Sequence, residues 1–140
     1  MQTFLPYDDF DKSMEVLDYR RLCKQRVEAY QILNCLNSNT KAGTGWSNHP
    51  AVKMWRGYEI ALSVYMDSAI KEWIKRGYKN TMKLTSLKDF KELNLSELPY
   101  WFGDKTFHTS HQSNLVRKLP EHYRLHFPDV PDNLPYCWPI

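Results

Sequence analysis

The sequence predicts an all-α fold, a single compact domain over residues 1–140 with about four to five helices and an irregular Pro-rich C-terminal segment. Three observations carry that reading. No segment alternates apolar and polar residues in the two-residue period of a half-buried strand. Val52, Trp55, Tyr58, Leu62, Tyr65, Ala69 and Trp73 recur at helical steps, and so do Leu22, Cys23, Val27, Tyr30 and Leu33. The prolines gather late in the chain, where four of the eight lie beyond residue 127.

Each element has a local cause. Asp8, Asp9 and Asp11 favour the start of a short helix running to Leu17. A second helix follows over about Tyr19 to Leu36, and a Gly-Ser-Asn-rich loop over Asn37 to Trp46 ends it. Ser47 or Asn48 is placed to cap the next helix, with Pro50 in its first turn. The apolar stripe predicts that this helix continues to about Arg76, where Gly77 stops it, a strut roughly 40 Å long at 1.5 Å per residue. Further helices are expected over Ser86–Leu93 and Phe107–Leu119, with a last turn beginning at Pro120. From Pro128 onward the proline spacing predicts an irregular strap laid over the body.

Composition narrows the function. Hydrophobic content of 42% and charged content of 25% are those of an ordinary globular protein, not a disordered one. A net charge of only +3 means that any nucleic-acid surface must be a local patch. Cys23, Cys35 and Cys137 are odd in number and widely spaced, which argues against both a disulfide framework and a zinc site. With no signal-peptide pattern and no apolar run of about 18 residues, a cytoplasmic protein without membrane contact is expected. A monomer is expected because no heptad seam is present.

Four constellations could carry chemistry. Arg20, Arg21, Lys24 and Arg26 crowd two helical turns, and arginine suits phosphate oxygens; a solvated face paired with Asp18 and Glu28 is the plainer alternative. Asn48-His49-Pro50 opens a helix, where backbone N–H groups attract anions; His49 is a candidate proton relay, and Asn48 a simple cap. His108, His111 and Lys118, with Ser110, Asn114 and Arg117, mark a polar helix side suited to DNA backbone contacts. The His-x-x-His spacing also admits a metal, but no local glutamate completes a ligand set, so no metal and no cofactor are expected. Tyr100, Trp101, Tyr123, Phe127, Tyr136 and Trp138 are core or tail-clamping residues, among which one or two could stack on an exposed base.

Taken in order, these segments resemble the phage-type pyrimidine-dimer DNA glycosylase family, the endonuclease V type, over nearly the whole chain. The anchors are Tyr19-Arg20-x-Leu22, Lys75-Arg76-Gly77-Tyr78 and Pro120-x-x-Tyr123. A stronger resemblance joins the chain to one branch of that family through Met1-Gln2-Thr3-Phe4-Leu5-Pro6-Tyr7, Lys24-Gln25-Arg26-Val27-Glu28, Asn48-His49-Pro50-Ala51-Val52, Phe107-His108-x-Ser110-His111-x-Ser113-Asn114-Leu115 and Val130-Pro131-Asp132-x-Leu134-Pro135-Tyr136-x-Trp138-Pro139.

The resemblance implies a helical domain whose N-terminal α-amine, between helices at the DNA face, attacks the sugar C1′ of a damaged nucleotide in duplex DNA. Base release, a Schiff base and β-elimination follow. An α-amine has an ordinary pKa of about 7.7–8.0, so part of it is nucleophilic at neutral pH. Gln2 is bulky and is expected to keep Met1 in place, so Met1 would supply the amine. The family's catalytic glutamate directly follows its Tyr-Arg pair, and Arg21 stands at that position here. Arginine stays protonated and cannot be the base. Glu28, four residues past Lys24, is a geometric substitute, with Gln25 able to position water or sugar and His49 as a further acid–base candidate. Arg20, Arg21, Lys24, Arg26, His108, His111, Asn114, Arg117 and Lys118 then form the expected DNA-binding set. The alternatives are a non-catalytic DNA-binding module, or a different enzyme on the same scaffold, processing modified pyrimidines or cleaving DNA with a His-bound metal.

Overall fold

The computed structural model describes residues 1–37 and 48–139. The loop expected over 37–46, except Asn37, and the capping candidate Ser47 lie outside the described residues. Among the described residues there are six helices and no strand: α1 (Phe10–Val16), α2 (Tyr19–Asn37), α3 (Pro50–Trp55), α4 (Glu59–Lys75), α5 (Lys105–Lys118) and α6 (Pro120–Tyr123). None is long and apolar enough to cross a membrane.

Capping side chains set three of the helix starts. The Asp9 carboxylate accepts the Lys12 N–H at 2.9 Å at the start of α1, and Asp104 accepts that of Thr106 at 2.9 Å at the start of α5. For α3 the cap is His49, whose Nδ1 accepts the Ala51 N–H at 3.0 Å ahead of Pro50; the expected cap was Ser47 or Asn48. α2 packs along α4, α1 crosses α4, and α5 and α6 pack together. At the end of α4 the Arg76 guanidinium donates to the carbonyls of Met14 and Glu15 at 3.0 and 3.1 Å, tying that helix to the last turn of α1.

Two expected helices are corrected. The long strut is two helices, because Arg56-Gly57-Tyr58 breaks it, with Gly57 at φ +90°, a conformation that an L side chain resists. α4 alone, with 17 residues, is roughly 26 Å long. The helix expected over Ser86–Leu93 is only a 3₁₀ turn over Phe90–Glu92. Its intended first N–H groups are engaged elsewhere. The buried Asp67 carboxylate accepts Thr85 N at 2.8 Å, Thr85 Oγ1 at 2.7 Å and Ser86 N at 2.9 Å. A buried charge is stabilised by such donors, and tertiary demand overrides local helix propensity.

The core lies between α1, α2, α3, α4 and α5. Trp55 is fully buried there, with its ring centroid 5.1 Å from Trp101 and 5.5 Å from Tyr65, and its Nε1–H donates to Thr3 Oγ1 at 3.1 Å. Trp55→Ala is expected to cost about 3–5 kcal/mol, read as a fall in denaturant midpoint with an unchanged slope. Among the described residues the C-terminal strap contains no helix beyond Tyr123, and it runs along α5, where Leu134 N donates to Ser113 Oγ at 3.0 Å and Cys137 N to Ser110 Oγ at 3.1 Å.

Candidate active site

The first residues form an extended segment that enters the interior, with Thr3, Phe4, Leu5 and Pro6 buried. Extended backbone with no strand partner still needs its N–H and C=O groups paired. Side chains supply the partners. The Phe4 N–H donates to Gln25 Oε1 and to the Tyr65 hydroxyl, both at 3.0 Å. The Leu5 N–H donates to His111 Nδ1 at 2.9 Å, and His108 Nδ1 meets the Leu5 carbonyl at 2.7 Å.

α2 brings Gln25 and Glu28 to the same segment. The Gln25 side chain is buried and fully used. Its amide donates to the Gln2 carbonyl at 3.2 Å and to Glu28 Oε2 at 3.4 Å, while its oxygen accepts from Phe4 N and from the Tyr65 hydroxyl. Glu28 Oε2 accepts the Gln2 N–H at 3.2 Å, one residue from the α-amine. Burial pushes the Glu28 carboxyl above its ordinary range, and the Gln2 N–H, the Met1 ammonium and Lys24 offset only part of that rise. His49 also feels the amine. Burial first and that positive charge second hold its ring below the usual imidazole range, which favours the neutral form.

A cleft of about 570 Å³ opens over this floor, lined by Gln2, Gln25 and Glu28 below and by Tyr19, Arg20, Arg21, Lys24 and Lys118 around it. An adjoining cleft of about 730 Å³ shares Tyr19, Arg20, Arg21 and Lys118 and adds Arg76 and His122. Arg20, Lys24 and Lys118 are exposed, with the Arg20 guanidinium carbon 5.7 Å from the Tyr19 ring centroid. Arg21 is tied to Asp18 at 3.2 Å. Burial raises the Asp18 carboxyl, but hydrogen bonds from Tyr123 and Arg21 and the charge of Arg21 outweigh it and leave Asp18 lowered.

The expected DNA-binding set therefore divides. Arg20, Arg21, Lys24 and Lys118 share the cleft. Arg26 does not: it is buried, its guanidinium 4.5 Å from the Trp73 ring centroid, donating to Asn80 Oδ1 at 2.7 Å and Cys23 Sγ at 3.2 Å. His108, His111 and Asn114 are interior as well, so this part of α5 faces the N-terminal segment and the strap, and only Lys118 at its end reaches the cleft. Arg117 is exposed and holds the strap through the Asp132 carbonyl at 2.6 Å. The His-x-x-His pair is turned toward the N-terminal segment. Both Nδ1 atoms are engaged by Leu5, and among the described residues no group of three His, Cys, Asp or Glu is placed to hold a metal. Tyr65 and Arg76 are site residues that the sequence reading missed. A tyrosine in a buried stripe signals a hydroxyl that needs a partner, which is the clue Tyr65 offered.

A sequence profile of the family described as pyrimidine dimer DNA glycosylase matches residues 1–86, which hold the N-terminal segment, α1 to α4, Gln25 and Glu28. No curated protein and no solved structure matches the chain. The match spans more than half of the 140 residues, and the chain belongs to the pyrimidine dimer DNA glycosylase family.

Proposed function

We propose that the protein is a DNA glycosylase with abasic-site lyase activity, acting on a damaged or modified pyrimidine in duplex DNA through the α-amine of Met1. One observation carries this reading: Glu28 accepts the Gln2 N–H at 3.2 Å on the floor of a cleft rimmed by Arg20, Arg21, Lys24 and Lys118. A carboxyl held above its ordinary range is suited to take and return a proton, and exposed cations beside it suit the phosphates on either side of a flipped nucleotide.

The amine nitrogen attacks C1′ and the bond from C1′ to the base breaks. The base leaves with that electron pair and gains a proton. Glu28 takes the proton lost by the amine and returns it to O4′ as the C1′–O4′ bond opens, which leaves a protonated imine between the protein and C1′. Removal of a C2′ proton then expels the 3′ oxygen by β-elimination. In this scheme the carboxylate comes from α2 at Glu28, two turns after Arg21, where the family resemblance puts its glutamate. Arg20, Lys24 and Lys118 bind the backbone, and neutral His49 is an auxiliary proton carrier.

The test is borohydride trapping on a duplex with one abasic site, comparing the chain begun at Met1 with an N-terminally extended form. A covalent adduct with the first form alone is expected. Equal adducts with both forms would remove Met1 as the nucleophile. Salt-sensitive binding with no adduct from either would favour a DNA-binding module, the reading that Arg21 in place of the family's glutamate supports.

A further inference from the structure

The His-x-x-His motif lies outside residues 1–86 and plays no part in the chemistry above. Its surroundings give it another role. His108 Nε2 accepts the Gly103 N–H at 3.0 Å, so its proton is on Nδ1, which donates to the Leu5 carbonyl at 2.7 Å. His111 Nδ1 accepts the Leu5 N–H at 2.9 Å, so its proton is on Nε2. Two neutral rings of opposite tautomer thus hold both peptide groups of one residue. The Tyr136 hydroxyl donates to the Thr3 carbonyl, and Gln112 donates to that of Pro6 at 2.7 Å. Tyr136 also stacks on His111 with centroids 4.3 Å apart.

His111 Nε2 is buried with no hydrogen-bond partner, which is costly for a donor. A residue present only for packing would be apolar there. The ring earns its place through Nδ1, the atom that meets Leu5.

We propose that α5 and the strap act as a clamp that positions the N-terminal nucleophile, with His111, His108 and Tyr136 as its positioning residues. This rests on the amine chemistry proposed above. From Leu5 the extended chain reaches the α-amine over about 13 Å, so a small slip at the clamp displaces the nitrogen from C1′. None of the three side chains lines the cleft, so the clamp acts on reactivity and leaves DNA affinity alone.

The experiment uses the full chain begun at Met1. His111→Phe keeps the ring and removes the acceptor, His111→Asn places an amide oxygen near Nδ1, and Tyr136→Phe removes only the hydroxyl. Single-turnover trapping on an abasic duplex is expected to slow about tenfold to a hundredfold in His111→Phe, the range that misplacement of a reacting group produces. Duplex Kd should stay within about twofold, since no phosphate contact is lost. His111→Asn should recover most of the rate, and Tyr136→Phe should slow in the same sense. Amide hydrogen exchange at Thr3, Phe4 and Leu5 should quicken in the two Phe variants and return in His111→Asn.

Wild-type trapping rates in both Phe variants, or a rate that falls only in step with affinity, would overturn the proposal. If His111→Phe does not fold, Tyr136→Phe decides alone. If the wild-type chain itself traps nothing, the lyase reading fails, while exchange at Thr3, Phe4 and Leu5 still decides whether the clamp exists.

Discussion

Glu28→Gln is expected to lower the single-turnover rate of adduct formation by about 10²–10⁴-fold, the usual contribution of a positioned acid–base group. The substitution is nearly isosteric. Its amide oxygen can still accept the Gln2 N–H that Glu28 Oε2 accepts at 3.2 Å, so the N-terminal segment keeps its path. What is lost is a site for the proton. The pH profile supplies a second signature. Burial holds the wild-type carboxyl above its ordinary range, so activity that needs its ionised form falls as pH drops through that raised value. The variant lacks that acid limb. DNA affinity should hold or rise slightly, because a negative charge leaves a cleft rimmed by Arg20, Lys24 and Lys118. Single-turnover trapping across pH, with affinity measured alongside, checks all three expectations. A wild-type rate would show that the essential carboxylate is elsewhere.

The second large effect is on stability. His111 is fully buried with its ring held well below the usual imidazole range by burial, and His108 is lowered by burial in the same sense. Both therefore fold in the neutral form. Below about pH 6.5 the unfolded chain binds protons that the folded chain refuses, so stability is complete above that pH and falls as pH drops toward the folded values. His111 alone gives a slope of about 1.4 kcal/mol per pH unit in that window. Glu28 works against it, because a raised carboxyl binds protons in the folded state first and its contribution is lost as pH rises. Denaturant titrations between pH 7 and 5 should show the decline, and a shallower decline in His111→Asn.

The sequence made some features plain and concealed others for definite reasons. α1 and α2 are legible because their causes are local: an aspartate cap for one, an apolar period for the other. The break at Gly57 is hidden because Trp55, Tyr58 and Leu62 keep the helical step across it, and an apolar stripe records period, not continuity. The cationic cleft is legible because Arg20, Arg21 and Lys24 are neighbours in sequence. Arg26, expected with them, does not join it. It falls roughly 240° around the helix from Arg20, on the side of Leu22 and Leu33, where a long side chain packs instead of reaching solvent. The roles of His108, His111 and Tyr136 were not legible, because their partners are more than 100 residues away and no local pattern encodes such a contact.

The pairing of Tyr136 with Thr3 spans 133 residues of chain. It gives the molecule a temporal order during synthesis. The end that bears the amine leaves the ribosome first, yet its seat is incomplete until the strap has been made, roughly ten seconds later at ordinary elongation rates. α1, α2 and α4 contain their own local contacts and can collapse early, whereas closing so long a loop is slow. A nascent chain thus exposes its first residues before it has made the strap that seats them, and the seat around Thr3 and Leu5 is completed only by the last residues synthesised.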